Sequence, residues 1–102
     1  MINLLKNLFG ASSTKIKTLI DDGAVIVDVR TPAEFKSGHL KGSKNIPLDI
    51  LPQKIAELKK MNTTIITVCR SGTRSNTAKD LLTRAGLEVC NGGAWMSLQR
   101  IV

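Results

Sequence analysis

The stretch Thr64–Gly86, TIITVCRSGTRSNTAKDLLTRAG, constrains the fold more than any other part of the chain. It opens on Ile65, Ile66, Thr67 and Val68, an apolar and β-branched run that predicts a strand buried on both faces, as in a parallel sheet. Cys69 and a short polar loop, Arg70-Ser71-Gly72-Thr73-Arg74, come next. Ala78, Leu81, Leu82 and Ala85 then recur at i, i+3, i+4 and i+7, which predicts an amphipathic helix ended by Gly86. A single cysteine is thus expected at the carboxyl end of a buried strand, just ahead of a helix N-terminus.

That position carries chemistry. The first turn of a helix has unpaired N–H groups and a partial positive charge, and a loop curling into it makes an anion nest. A cysteine facing such a nest is stabilised as thiolate, so Cys69 is expected to titrate below an ordinary thiol. The same nest can hold an oxyanion or a terminal persulfide sulfur. Arg70 and Arg74 add fixed charge, and Gly72 permits a backbone conformation that a Cβ would strain. The plainer alternative is a small buried hydrophobe before an ordinary strand-to-helix turn.

The chain of 102 residues is one small domain with a modest core. Two cysteines, Cys69 and Cys90, make no disulfide framework, and one histidine cannot assemble a Cys/His metal cluster, so a zinc site is not expected. No apolar run is long enough to span a membrane, and MINLLKNLFGASS makes a poor secretory signal, so a cytoplasmic, reducing location is expected. The net charge of +7 is scattered and only three aromatic residues are present, two Phe and one Trp. That pattern favours a solvated surface attracting small anions over nucleic-acid binding.

In chain order, residues 1–13 read as an N-terminal extension and 14–102 as the folded domain. Met1–Phe9 is expected as a short helix that packs on the domain, with contact to a membrane or a partner as the alternatives. Ser13 or Thr14 caps a second helix bearing Ile16, Leu19 and Ile20, and Gly23 ends it. Ala24–Val29 is a buried strand. Thr31-Pro32-Ala33-Glu34 combines a capping box with proline at the first helical position, and Gly38 stops the short helix carrying Phe35. Ile46 and Leu48 suggest a short strand, and Pro52 the start of a helix with Leu51, Ile55 and Leu58 on one face. Leu87–Cys90 is a last strand, Asn91-Gly92-Gly93 a turn, and Trp95, Leu98 and Ile101 or Val102 share a face of a terminal helix. Strands alternating with helices predict an α/β fold: a small parallel sheet flanked by helices on both faces, with ligands outside the strands' carboxyl ends.

Three motifs in this order resemble the rhodanese family. Asp28-Val29-Arg30-Thr31-Pro32-Ala33-Glu34-Phe35, Gly38-His39-Leu40 and Gly42 with Asn45-Ile46-Pro47 resemble its first motif. Cys69–Ser75 resembles its active-site loop, and Asn91-Gly92-Gly93-Ala94-Trp95 its closing glycine-tryptophan motif. The likeness runs from about Ile16 to Ile101, with two departures: Ser43 stands where alanine is usual, and Met1–Ser13 does not read as the short extra strand with which many members begin. The resemblance implies a single-domain, cofactor-free sulfurtransferase. A small anionic donor such as thiosulfate gives sulfane sulfur to Cys69, and a thiol or cyanide takes it from the persulfide. By match to the motif, Arg70, Ser71, Gly72, Thr73 and Arg74 supply loop N–H groups to that persulfide, and Arg74 closes the loop.

Neighbouring residues have two readings each. Asp28 and Arg30 either line the substrate mouth or tie the strand end to adjacent loops by charge-assisted hydrogen bonds. Glu34 is a capping residue; His39 is a general base or a hydrogen-bonded loop residue; Trp95 is core. Lys36, Lys41 and Lys44 either steer anions or are solvated. A right-handed crossover puts Cys69 and Cys90 at the same sheet edge, on strands about 4.8 Å apart, where Cys90 either resolves the persulfide as a disulfide or only fills the core edge. Rival functions are a phosphatase or arsenate reductase, whose loops on this fold hold five residues between cysteine and arginine against four here; a binding module; and a carrier passing persulfide between proteins.

Overall fold

The computed structural model describes residues 12–102. The readings for residues 1–9, and for most of the extension assigned to 1–13, lie outside the described residues. Helix α1, Ser13–Asp21, begins one residue earlier than its pattern suggested, because Ser12 is the extended residue whose hydroxyl accepts the Lys15 N–H. Strand β1, Val25–Asp28, leads into helix α2, Pro32–Ser37, which has the expected capping box between Thr31 and Glu34 and ends at Gly38.

The short strand β2 is Lys44–Asn45, ahead of the expected Ile46 and Leu48. The N–H groups of Ile46 and Leu48 still bond Asp28 O and Val29 O at 3.0 and 3.1 Å, but the segment advances two residues there against one in β1, so regular pairing stops. Pro52 does not open a helix. It lies inside a 3₁₀ turn, Leu48–Lys54, and α-helix α3 begins only at Ile55, running to Lys60. Strand β3 is Ile65–Cys69, buried at every residue, and helix α4 is Thr73–Arg84. Both match the sequence pattern.

Strand β4, Val89–Ala94, corrects the reading of Asn91-Gly92-Gly93 as a turn. These residues continue the strand, and helix α5, Trp95–Gln99, follows directly. The register slips between Thr67, opposite Asn91, and Val68, opposite Gly93, so Gly92 is an extra residue in β4. A Cβ on Gly92 would stand 2.8 Å from Ile66 Cγ2, 2.9 Å from Val68 Cγ1 and 3.0 Å from Thr67 O. Only glycine allows the bulge to press so closely on β3.

The four strands form one parallel sheet in the order β2-β1-β3-β4. Each face carries its own core. Val27, Val29, Leu51, Leu58, Ile65 and Leu82 pack on one side, and Ile16, Ile26, Ile66, Val68, Trp95 and Leu98 on the other. Covering both faces is what the continuous apolar runs of β1 and β3 require. No helix among the described residues is long and apolar enough to cross a membrane.

Candidate active site

Cys69 is the last residue of β3 and is 1% exposed. The loop after it turns sharply at Gly72, whose φ of 103° lies in the left-handed region. That turn aims the Gly72 N–H back at Cys69 Sγ, 2.9 Å away. Beneath the sulfur, Ser75 Oγ lies 3.4 Å from Sγ. Burial pushes the Cys69 thiol up; against it, the Ser75 hydroxyl and the backbone N–H groups of Ser75, Gly72 and Ser71 favour the anion, and the thiol falls below its ordinary 9.0. The nest read from the sequence is thus present around the sulfur.

The charged residues divide. Arg70 is exposed. Arg74 forms a two-bond fork on the Glu34 carboxylate, Nη1 to Oε1 at 2.7 Å and Nη2 to Oε2 at 3.0 Å. Glu34 is therefore more than a cap: one carboxylate accepts the Thr31 N–H and hydroxyl and also holds the arginine of the loop. The Arg74 guanidinium, then the Thr31 N–H, bring the Glu34 carboxyl down from 4.5 to about 2.

Asp28 and Arg30 do not line a mouth. Both are buried, and Arg30 bonds both Asp28 carboxylate oxygens, Gly38 O and Glu34 O while stacking on Trp95. Trp95 is buried against Leu98, as core. His39 is exposed, stacked on Phe35, with Nδ1 2.7 Å from Phe35 O. Lys36, Lys41 and Lys44 are exposed to solvent.

Cys90 does not share the sheet edge with Cys69. It pairs with Ile66, three residues back along β3, which is about 10 Å of parallel strand. It packs with Ile26, Ile66 and Trp95, whereas Cys69 packs with Val27 and Leu82 on the other face. A resolving disulfide between the two has no route in this fold.

The residues that pattern reading passed over are Ser75 and Asn91. Ser75 Oγ bonds Asn91 Oδ1 at 2.7 Å, and both side chains are buried. Beside the loop, a groove of about 690 Å³ runs between Gly72, Asn76, Gly93 and Ser97, over Ile16 and Leu98, with no charged side chain among the described residues that line it. Among the described residues, no three His, Cys, Asp or Glu side chains gather so as to hold a metal ion.

The sequence pattern of the rhodanese-like domain matches residues 12–94. The chain belongs to the rhodanese-like domain family. A thiosulfate sulfurtransferase of Escherichia coli, PspE, is 34% identical over 61 residues, covering 59% of this chain and 59% of its own. The thiosulfate sulfurtransferase GlpE of Stutzerimonas stutzeri is 39% identical over 64 residues, covering 63% of this chain and 58% of its own. The chain spans between 49% and 63% of the length of the first three curated relatives it matches. Among solved structures, a rhodanese with anions from E. coli superposes with a TM-score of 0.67 at 32% identity, covering 72% of this chain and 89% of its own. The reduced Bacillus anthracis CoADR-RHD superposes with a TM-score of 0.76 at 31% identity, covering 95% of this chain and 17% of that one. The rhodanese-like fold accordingly holds almost all of the described chain.

Proposed function

We propose that the protein is a sulfurtransferase that carries sulfane sulfur as a persulfide on Cys69. One observation carries this reading: a buried thiol at a strand end, with the Gly72 N–H aimed at its sulfur and its proton held loosely. The names of the related thiosulfate sulfurtransferases support it. The Cys69 thiolate attacks the outer sulfur of thiosulfate; the new S–S bond forms as the old one breaks, and sulfite leaves with the electron pair. Cyanide or a thiolate then attacks the terminal persulfide sulfur, departs as thiocyanate or a new persulfide, and returns Cys69 to thiolate. The charge on sulfur stays within reach of the preorganised N–H groups of Ser71, Gly72 and Ser75, which need no rearrangement as it moves.

Arg74 supplies the fixed positive charge facing this anion, and exposed Arg70 draws donors from solution. The partners are a small anionic sulfur donor and a thiol or cyanide acceptor; a protein thiol in the second role would make the chain a persulfide carrier by the same chemistry. No nucleic acid takes part. Cys69 and Cys90 form no disulfide, which suits a reducing, cytoplasmic setting. Four residues between Cys69 and Arg74 make a ring sized for one sulfur atom rather than a tetrahedral phosphate. Incubation with thiosulfate is expected to add one sulfur to the intact protein by mass, and Cys69→Ser to lose both the adduct and thiocyanate formation. A serine variant that still turns over would overturn the reading.

A further inference from the structure

The hydroxyl of Ser75 has one proton and three neighbours: Asn91 Oδ1 at 2.7 Å, Gly72 O at 3.1 Å and Cys69 Sγ at 3.4 Å. Which neighbour receives the proton depends on Asn91. The Gly93 N–H points at one atom of the Asn91 amide from 2.9 Å, and an N–H can only donate. That atom is therefore the oxygen, and the amide nitrogen faces Gly72 O at 3.4 Å. Asn91 Oδ1 is thus a fixed acceptor, at the shortest distance of the three. Gly72 O is the weaker competitor, since it lies farther off at 3.1 Å and already accepts from two donors, the Asn76 N–H and Asn91 Nδ2, where Asn91 Oδ1 has only the Gly93 N–H.

With the Ser75 proton on Asn91, the hydroxyl turns its lone pairs to the sulfur. This suits a thiol, whose S–H donates to Ser75 Oγ. It does not suit a thiolate, which would face oxygen lone pairs. Rotation about the Ser75 Cβ–Oγ bond moves the proton to the sulfur without moving a heavy atom. We propose that the Ser75 hydroxyl is a two-position donor beneath Cys69, and that Asn91 is a positioning residue that holds its proton away from the sulfur until the thiol proton has left for solvent. The proposal deepens the reading of Cys69 as nucleophile, and rests on it.

The charged groups around the sulfur are paired with one another or face solvent. Arg74 is forked on Glu34, whose carboxyl titrates near 2, and Asp28 is paired with Arg30. Arg70 is exposed to solvent. Ser75 is fully buried and Asn91 is 7% exposed, so water does not stand in readily for either partner.

The two residues pull in opposite directions, which separates this device from a merely structural one. The test is the pH dependence of iodoacetamide alkylation of Cys69, in the full chain, with folding checked by circular dichroism. Ser75→Ala removes a donor to the thiolate and raises the midpoint by about one pH unit. Asn91→Ala releases the hydroxyl to the sulfur and lowers the midpoint by up to about one unit. In a Ser75→Ala background the Asn91 substitution has no hydroxyl to release, and its effect disappears. A midpoint that rises or stays put in Asn91→Ala, or an Asn91 effect that persists without Ser75, overturns the proposal.

Should Asn91→Ala fail to fold, the wild-type protein decides. The amide nitrogen and proton of Gly93, which share Asn91 Oδ1 with Ser75, shift in NMR spectra with the same midpoint as Cys69 alkylation. A Gly93 signal that does not follow that midpoint overturns the proposal. Alkylation uses no sulfur donor, so a chain that titrates as described and forms no persulfide refutes the sulfurtransferase reading alone.

Discussion

Arg74 and Glu34 set the fixed charge at this site. The fork between them places a guanidinium where it interacts with Cys69, while Arg70 stays in solvent with no comparable restraint. Losing a donor to a developing anion costs about 2.7–4 kcal/mol of activation free energy in a buried site, and less where water screens it. Arg74→Ala is therefore expected to slow single-turnover sulfur transfer more than Arg70→Ala does, and the reverse order would refute the assignment of roles. Glu34 gives a pH signature of its own. A carboxyl with a lowered folded pKa favours the folded state wherever it is ionised, so its contribution is full above about 4.5 and is lost as pH falls through about 2. Glu34→Gln keeps an oxygen for the Thr31 N–H but removes that titration. Urea midpoints between pH 5 and pH 2 (roughly the span of those two pKa values) are expected to fall less steeply in the variant than in wild type; equal slopes would mean that the carboxylate adds nothing to folding.

At the scale of elements, β4 decides how the site is built. Its bulge at Gly92 is what brings Asn91 beneath Ser75 and Gly93 against the turn at Gly72, where a Cβ on Gly72 would meet Gly93 Cα at 3.6 Å. Gly92→Ala forces a methyl group into Ile66, Val68 and the Thr67 carbonyl, and the last of these cannot rotate away. Overpacking of this kind costs about 1–3 kcal/mol, expected as a lower urea midpoint at unchanged m-value. An alanine variant as stable as wild type would show that the strand is free to relax. The same bulge explains what could be read in the chain and what could not. The apolar run of β3 and the helical period of α4 are local patterns, so strand, cysteine and helix were legible, as was the capping box at Thr31. Asn-Gly-Gly has the local chemistry of a turn, and only pairing with β3 makes it a strand. Read as a turn, the segment ends the strand at Cys90 and puts that cysteine at the wrong edge, and no local pattern places Asn91 near Cys69. Ser75 lies on the first turn of α4 and reaches the sulfur only because the intervening loop doubles back at Gly72.

The whole molecule turns on the buried pair Asp28–Arg30, which the sequence reads first as a tie between strand end and loops, with a substrate mouth as the alternative. Arg30 bonds Asp28 at 2.7 Å at the end of β1, Gly38 O at 2.7 Å and Glu34 O at 3.3 Å, and its guanidinium carbon lies 4.8 Å from the centre of the Trp95 ring. Asn45 adds bonds from β2 to Asp28 O and Arg30 O, each 3.0 Å. One side-chain cluster thus joins β1, β2, α2 and α5, and it fixes the helix from which Glu34 reaches Arg74. Removing one member of a buried pair leaves a charge with no compensation, at a cost of about 3–5 kcal/mol. A domain of this size has a total stability of roughly 5–15 kcal/mol, so Asp28→Ala is expected to leave the protein near the edge of folding. Replacing both charges, as in Asp28→Leu with Arg30→Met, leaves no bare ion and is expected to cost less than Asp28→Ala alone. Equilibrium urea unfolding of the three proteins tests this ordering. A single variant that loses under about 1 kcal/mol, the range of an exposed ion pair, would mean that water reaches Arg30 and that the tie does not hold the sheet to its helices.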